Sequence, residues 1–274
     1  MMNSFVAEMD KLVRRPATWV LAAVWAIAGV AYVYIIPYIS YANPTSKVSA
    51  ATRQALLTGL LPGHLITSVI AGFPLFGGMV VLIFGAFVVG SEYGWGTLKT
   101  VFVQRPGRLD VLSGKLLALA VMQVAFVLAV FVPGALSSFI VALVVHAPVS
   151  WPSAWDFVQA FGASWLILTM WATLGAMLAT ALRGATLAVG LGLFYLIFER
   201  VIAGFANLSG LLADISKVLP GSNAGALAAA LAPSSSAPGV AAVVGTTQAI
   251  LVLAVYVGGF VLLSLLLVLK RDVL

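Results

Sequence analysis

Long apolar runs, separated by short polar stretches, dominate the chain. Unbroken runs such as 111–145 and 241–269 are far longer than the alternating segments, about ten residues each, that are typical of β-barrel strands. In lipid every backbone N–H and C=O needs a partner inside the protein, and only helices and closed barrels supply one. The pattern therefore predicts an all-α membrane protein.

Six of these runs are each able to cross a hydrocarbon core of about 30 Å at about 1.5 Å per residue. The third run is too long for one straight span, and its Pro133-Gly134 step predicts a kink. We predict a single transmembrane domain over residues 1–274, with spans at 17–41, 63–90, 111–145, 155–182, 184–205 and 241–269.

The first sixteen residues carry apolar side chains at helical spacing, with charged side chains elsewhere around the helix. A helix of this kind lies in the membrane interface and turns its basic side chains toward anionic headgroups. We predict such an interfacial amphipathic helix in residues 1–16, with these apolar residues on one face: Phe5, Val6, Met9, Leu12 and Val13.

Residues 206–240, between the fifth and sixth spans, contain two shorter helical patterns. One has apolar residues at helical spacing from Leu208 to Leu219 and ends at Pro220-Gly221, and the other covers 224–231. Neither is long enough to cross the membrane. We predict two short external helices here, either re-entrant or lying on the surface.

Charged residues are scarce and lie at the ends of the apolar runs. They make up 8% of the chain, against about 25% in an average soluble domain, and the mean hydropathy is +1.14. A soluble fold could not cover its surface with so few charges. The net charge of +6 does not indicate nucleic acid binding, because the basic residues flank the spans in the way that the positive-inside rule describes.

The basic residues also predict the orientation of the chain. With the N-terminus inside, ten of the fourteen Lys and Arg residues are cytoplasmic, and the even number of spans then places both termini in the cytoplasm. The remaining four, which are external in this orientation, are Lys47, Arg53, Arg200 and Lys217.

The sequence predicts no catalytic residue, no metal site and no nucleotide site in this chain. There is no cysteine, and the two histidines, His64 and His146, have no carboxylate at ligand spacing. Residues 107–116 superficially resemble a P-loop. However, six residues rather than four separate the two glycines, and Leu116 stands where Ser or Thr would hold magnesium.

Glu199 and Arg200 are the charged residues nearest the interior of a predicted span. Glu199 follows Arg183 by sixteen residues, or about 24 Å of helix, which places the pair near the outer interface. Two interpretations stay open. The pair is either an interfacial anchor or a gate and substrate contact at the outer mouth, since intramembrane charges are costly and usually functional.

The loop between the second and third spans carries the most informative motif. An acidic residue, Glu92, is followed by a Gly-Thr-Leu-Lys step at 96–99, a short helical stretch, a Pro-Gly-Arg turn at 106–108 and then Gly114-Lys115 at the start of the third span. This order of features, with six spans, resembles the ABC-2 type permease family. Trp95 departs from the resemblance, because the family often has Gly or a small polar residue there.

The same loop can be interpreted from its residues alone. Thr97 is suited to cap a helix that Pro106-Gly107 ends, and Leu98, Val101 and Phe102 give that helix an apolar face. An apolar face in a cytoplasmic loop needs a surface to pack on. That surface is either a partner protein or the chain's own N-terminal helix.

The resemblance implies the permease subunit of an ATP-driven exporter in the plasma (inner) membrane of a prokaryote. It implies two copies of a separate ATP-binding subunit, which hold ATP and Mg, and a second permease chain, identical or related; the chain itself needs no cofactor. It also implies that the loop at 91–108 contains a cytoplasmic coupling helix that contacts the ATPase through Glu92, Thr97, Leu98, Lys99, Val101, Phe102, Arg105 and Arg108.

Two other function classes stay open. A secondary transporter would usually carry inverted repeats and charges at the membrane midplane. A polytopic membrane enzyme would need polar residues clustered at one depth. Neither feature is visible in the sequence.

Overall fold

The computed structural model describes residues 2–43, 49–94, 107–206 and 209–270, and within these ranges the regular secondary structure is entirely helical. The α-helices are α1 Met2–Arg14, α2 Pro16–Val30, α3 Ile36–Ala42, α4 Ala50–Leu60, α5 Leu65–Ile70, α6 Gly78–Gly94, α7 Arg108–Val144, α8 Ala154–Leu182, α9 Ala185–Gly204, α10 Gly210–Val218, α11 Pro220–Leu231 and α12 Thr246–Lys270.

Six helical stretches in the described ranges are long and apolar enough to cross a membrane. They confirm the predicted all-helical, multi-pass membrane architecture. The candidate spans, numbered in chain order, are Pro16–Ala42, Phe73–Tyr93, Leu109–Val144, Ala154–Leu182, Ala185–Gly204 and Thr246–Lys270.

The spans run alternately between two ends of the bundle. At one end the Arg15 Nη1 atom donates a hydrogen bond to the Ser91 hydroxyl at 3.2 Å, which joins the start of the first span to the end of the second. We call this the α1 end. At the opposite end, a Cβ on Gly63 would lie 3.1 Å from the Ser150 hydroxyl. We call this the hairpin end, after α10 and α11, which also lie there.

The fourth span is the centre of the bundle. Trp171, on α8, is fully buried, and α8 packs along α6 over most of their lengths. The two backbones approach closely at Gly85 and Gly175, where an added Cβ would lie 2.0 Å and 2.2 Å from a carbonyl oxygen of the other helix. Small residues at these positions therefore allow tight helix packing.

The second span differs from its prediction, which was one helix over 63–90. The helix is interrupted after α5, and it resumes through a widened turn at Phe73–Gly77, where the Gly77 N–H bonds to the Gly72 carbonyl at 3.1 Å. Pro74 is the physical reason, because proline has no N–H and clashes with the preceding helical turn.

The third span is a single helix of 37 residues that continues through Pro133. At about 1.5 Å per residue it is about 56 Å long, so it extends well beyond a hydrocarbon core of about 30 Å. One helix at the hairpin end, α4, was not predicted from the sequence. Its first turn is capped by Ser49, whose hydroxyl accepts a hydrogen bond from the Thr52 N–H at 3.1 Å.

Candidate functional site

Four charged side chains meet at the α1 end, and we call them the charge cluster: Glu8, Lys11, Glu92 and Lys115. The Lys115 Nζ atom lies 2.6 Å from Glu8 Oε2 and 2.9 Å from Glu92 Oε1. Lys11 pairs with Glu92 and, at 3.4 Å, with Glu8. Only 1% of the Lys115 side chain is exposed, and Glu92 is also buried. The cluster thus ties α1 to the end of α6 and the start of α7.

The N-terminal helix reaches the cluster because it lies against the first turns of α7. A Cβ on Gly114 would lie 2.8 Å from the Phe5 backbone nitrogen and 2.9 Å from the Ser4 Cβ, so the contact requires a residue without a side chain. On the same helix, Leu12 is fully buried and Met9 packs on the core.

Burial sets the electrostatics of the cluster. Moving a charge out of water costs several kcal/mol unless it is paired, and here two carboxylates face two ammonium groups. Desolvation, and then the nearby Lys115 charge, lower the pKa of Lys11 to about 8, although Glu8 acts in the opposite direction. Burial also lowers the pKa of Arg15, next to the first span.

Only the ends of the predicted coupling loop lie within the described residues. Glu92 is in the charge cluster, and Arg108 is the first residue of α7. The contact between Glu92 and Lys115 joins the start of the loop to α7, at a point seven residues beyond Arg108. The other predicted coupling residues lie outside the described residues, and their role stays a prediction: Thr97, Leu98, Lys99, Val101, Phe102 and Arg105.

Glu199 and Arg200 lie at the hairpin end and both point into the protein. The Ser222 backbone N–H donates to Glu199 Oε1 at 2.8 Å, in the first turn of α11. Arg200 donates to the carbonyl oxygens of Gly221 at 2.9 Å and of Gly239 at 3.2 Å. A carboxylate at the start of a helix is favourable, because the helix dipole is positive there. The pair therefore holds the start of α11 and the loop that follows it.

Helices α10 and α11 form a helical hairpin that is inserted among the spans. Helix α10 ends at Val218, and α11 begins at Pro220 rather than at the predicted 224, because proline suits a first helical turn. Every residue from Pro220 to Ala229 is buried. The Tyr256 hydroxyl donates to the Val218 carbonyl at 3.2 Å. Gln248, in the first turn of α12, donates to the neighbouring Lys217 carbonyl at 3.3 Å, so the tip of the hairpin lies beside the first turns of that helix.

A cleft of about 950 Å³ opens at the hairpin end, between the first span, α4 and the 234–237 loop. Its volume lies within the range of small-molecule sites. Its lining combines apolar side chains of the first span with hydroxyl groups, Gln54 and His64, and includes no Lys, Arg, Asp or Glu among the described residues.

Sequence reasoning did not find the charge cluster. The signal was present but distributed. Glu92 and Lys115 are single charges at the ends of apolar segments and Glu8 lies in the charged N-terminal helix, and the separations of 23 and 107 residues give no local spacing pattern.

The comparisons with known proteins give one family. A family described as a protein of unknown function (DUF2705) matches residues 21–274. The match starts inside the first span, so it includes the loop at 91–108 and Gly114-Lys115 but not α1. No curated protein matches the chain.

Proposed function

We propose that this chain, which belongs to the DUF2705 family, is the membrane-spanning permease subunit of an ATP-driven exporter of the ABC-2 type. The chain forms the path for the substrate and makes no covalent bond. Two separate ATP-binding subunits bind ATP and Mg, and a second permease chain, identical or related, completes the assembly.

The observation that carries the proposal is the motif from Glu92 to Lys115. Its features occur in the order that is typical of ABC-2 permeases, and its two ends are in contact through the ion pair of these two residues at 2.9 Å. A loop that is fixed at both ends on two different spans is suited to pass movement of an attached ATPase into the bundle.

Placing the α1 end in the cytoplasm satisfies the positive-inside rule. The described residues at that end include seven Lys or Arg residues, against three at the hairpin end, Arg53, Arg200 and Lys217. In this orientation α1 lies in the cytoplasmic leaflet interface, with its exposed apolar residues, including Val6 and Val13, toward lipid. The hairpin then enters the membrane from outside as a re-entrant element.

Glu199 and Arg200 serve as the outer gate in this proposal. They bind the first turn of α11 and the loop at Gly239 from inside the bundle. If the pathway opens outward between α9 and the hairpin, these hydrogen bonds either break or move together with the hairpin. The described lining of the cleft beside the first span includes no charged side chain, so the cleft suits an amphiphile with an uncharged polar head.

The bundle exposes apolar surface that is available to contact the second permease chain and the lipid. The first, fifth and sixth spans are the least buried of the six. Their exposed side chains include Ile27, Phe194 and Val255.

The coupling role is tested by comparing Phe102→Ala with Lys99→Ala. Truncating a buried aromatic anchor at an interface commonly costs about 2 kcal/mol or more, whereas a charge at the rim costs much less. We expect Phe102→Ala to weaken co-purification with the ATPase and its substrate-stimulated ATP hydrolysis more than Lys99→Ala does. Both variants should still insert, because neither residue lies in a span. An intact, fully active complex after combined Leu98, Val101 and Phe102 to Ser substitution would refute the proposal.

One observation favours a second candidate, a secondary transporter. Glu199 is a buried carboxylate within a candidate span, and intramembrane carboxylates are common in proton-driven transport. The two candidates differ in what purifies with the chain. A stoichiometric ATP-binding protein supports the exporter, and proton-driven transport by the isolated chain supports the alternative.

A further inference from the structure

We infer that a groove along the first span binds a single-chain amphiphile with an uncharged, hydroxyl-rich head. The head lies in the cleft at the hairpin end, and the chain runs along the span toward the middle of the membrane. This inference rests on the proposed function, because it names the class of substrate that the exporter carries. The binding itself is measured on the chain alone.

The first argument is that the cleft adjoins a second cavity. A pocket of about 160 Å³, which we call the tail pocket, lies between the first span, the second span and α7. Tyr32 and Val33 line both the tail pocket and the cleft of about 950 Å³, so the two cavities adjoin at these residues. The groove therefore runs from the hairpin end past Val33 to Trp25 and Val130.

The second argument is that the lining changes from polar to apolar along this groove. In the cleft, Ser40, Thr58 and Ser68 donate to backbone carbonyl oxygens at 3.0, 2.8 and 2.7 Å. Their hydroxyl oxygens can still accept, and the amide of Gln54 in the same lining can both donate and accept. The tail pocket is lined by aromatic and aliphatic side chains and by glycines. The groove thus matches a polar head and an apolar chain.

The chemistry of the cleft selects an uncharged head that supplies hydroxyl donors. The described lining has no cation to pair with a phosphate or sulfate and no carboxylate to pair with an ammonium group. Arg53, on α4, instead donates to the Tyr41 carbonyl at 3.0 Å and lies over the Tyr41 ring. An unpaired charge is costly to remove from water, whereas a sugar or polyol head finds both donors and acceptors here.

The third argument is that the groove opens to the lipid and has the length of one leaflet. Tyr32, Ile36 and Phe76 line it and are partly exposed on the surface of the bundle, so an amphiphile can enter from the bilayer. From Ile36 to Trp25 is eleven residues, or about 17 Å of helix, which is close to half of a hydrocarbon core of about 30 Å. This length favours an acyl chain over a compact apolar molecule.

Both spans that line the tail pocket depart from regular α-helix at its level. The first span has a widened turn at Ala31–Ile35, and the second has the widened turn at Phe73–Gly77. The rings of Tyr32 and Phe76, one from each turn, lie 5.9 Å apart on the wall of the pocket. Widened turns of this kind are frequent at functional sites, so their coincidence here supports a binding role.

The probe for the test is tetradecyl maltoside that carries a photoactivatable diazirine at the end of its chain. The purified chain is placed in phosphatidylcholine nanodiscs, so that bilayer lipid competes for every unspecific surface. Cross-links are mapped by mass spectrometry, and half-saturation is measured by competition with unlabelled tetradecyl maltoside. We expect saturable labelling of Phe76 and Val130, which line the tail pocket from the second span and α7.

The head is tested with competitors and with one variant. Tetradecyl phosphate and tetradecyl trimethylammonium have the same chain and should compete at least about tenfold more weakly, because their charges find no partner. Gln54→Leu should raise the half-saturation concentration about fivefold, as expected for one lost hydrogen bond. The matched control is Gln159→Leu, an exposed glutamine that lines a different cavity, and it should have no effect.

The chain-binding part is tested by filling the tail pocket. Ala28→Trp does so from an exposed position on the first span, so it removes no buried contact. Ala23→Trp is the matched control, because Ala23 is exposed on the same helix but lines neither cavity. We expect Ala28→Trp to lower the labelling of Val130 at least about tenfold and the control to stay within about twofold, since a filled pocket has no room for a chain. Unfolding midpoints show that both variants fold.

Labelling that does not saturate, or that is equal in Ala28→Trp and the wild type, would overturn the inference, as would equal competition by all three heads. If Ala28→Cys instead forms a disulfide with a second copy and the probe does not label the chain, the groove belongs to the interface between permease chains and the inference is wrong. Failure of the proposed function is a separate result, in which saturable labelling persists but no ATPase co-purifies. In a complex that does form, labelling without stimulation of ATP hydrolysis by the maltoside would overturn the assignment of this amphiphile as the substrate.

Discussion

Glu199 is a residue whose approximate position, but not its partner, could be predicted from the sequence. Counting sixteen residues from Arg183 placed it toward one end of its helix, and it does lie near the hairpin end. Its contact with Ser222 depends on how the hairpin folds back after Gly204, which no spacing pattern shows. The same holds for Glu92 and Lys115, since an ion pair between separate helices depends on packing.

Glu199→Ala should destabilise the protein more than Glu199→Gln. Alanine leaves the Ser222 N–H, in a buried helix start, without its acceptor, and an unsatisfied buried group costs about 1–3 kcal/mol. Glutamine keeps a carbonyl oxygen for that bond and loses only the charge. Thermal unfolding of the purified chain in detergent, followed by tryptophan fluorescence, measures the difference. Equal midpoints for both variants and the wild type would contradict the assigned contact.

At the scale of elements, helix α11 shows where a hydropathy pattern misleads. Helix α10 has the clearer amphipathic pattern, yet it exposes Leu211 and Val218, while the weakly patterned α11 is buried almost throughout. In a membrane protein an apolar face packs equally well on lipid, so amphipathicity does not rank burial. Small residues determine the burial of α11, because they let this helix fit between longer helices.

Gly225→Ala should prevent α11 from packing in its position among the spans. The added Cβ would lie 2.1 Å from the Gly239 carbonyl oxygen, which is backbone and cannot rotate away. The matched control is Gly190→Ala on α9, where nothing lies within 4 Å of the added atom. There alanine should be neutral or stabilising by about 0.5–1 kcal/mol, because it is the better helix former. The measurements are the yield of folded protein and its unfolding midpoint. A stable Gly225→Ala protein would show that α11 is not packed in this way.

At the scale of the whole molecule, the number and order of the spans could be predicted well. The membrane imposes a minimum length on each apolar run, and that length is visible in one sequence. The interruption near Pro74 and the missed helix α4 could not be predicted with the same rule. Both features depend on where local backbone N–H and C=O groups find hydrogen-bond partners. A widened turn supplies them near Pro74, and the Ser49 side chain supplies one at the start of α4.

The orientation of the whole bundle is tested by cysteine labelling. Basic residues are concentrated at the α1 end, so we expect that end in the cytoplasm and the hairpin end outside. Single cysteines at Ser150 and Ser235, both at the hairpin end, should react with an impermeant maleimide added to intact cells. A cysteine at Thr100, in the loop that follows the second span, should react only after the membrane is permeabilised. Labelling of Thr100→Cys from outside would invert the bundle, place the coupling loop where no ATP-binding subunit could reach it, and refute the exporter proposal at the same time.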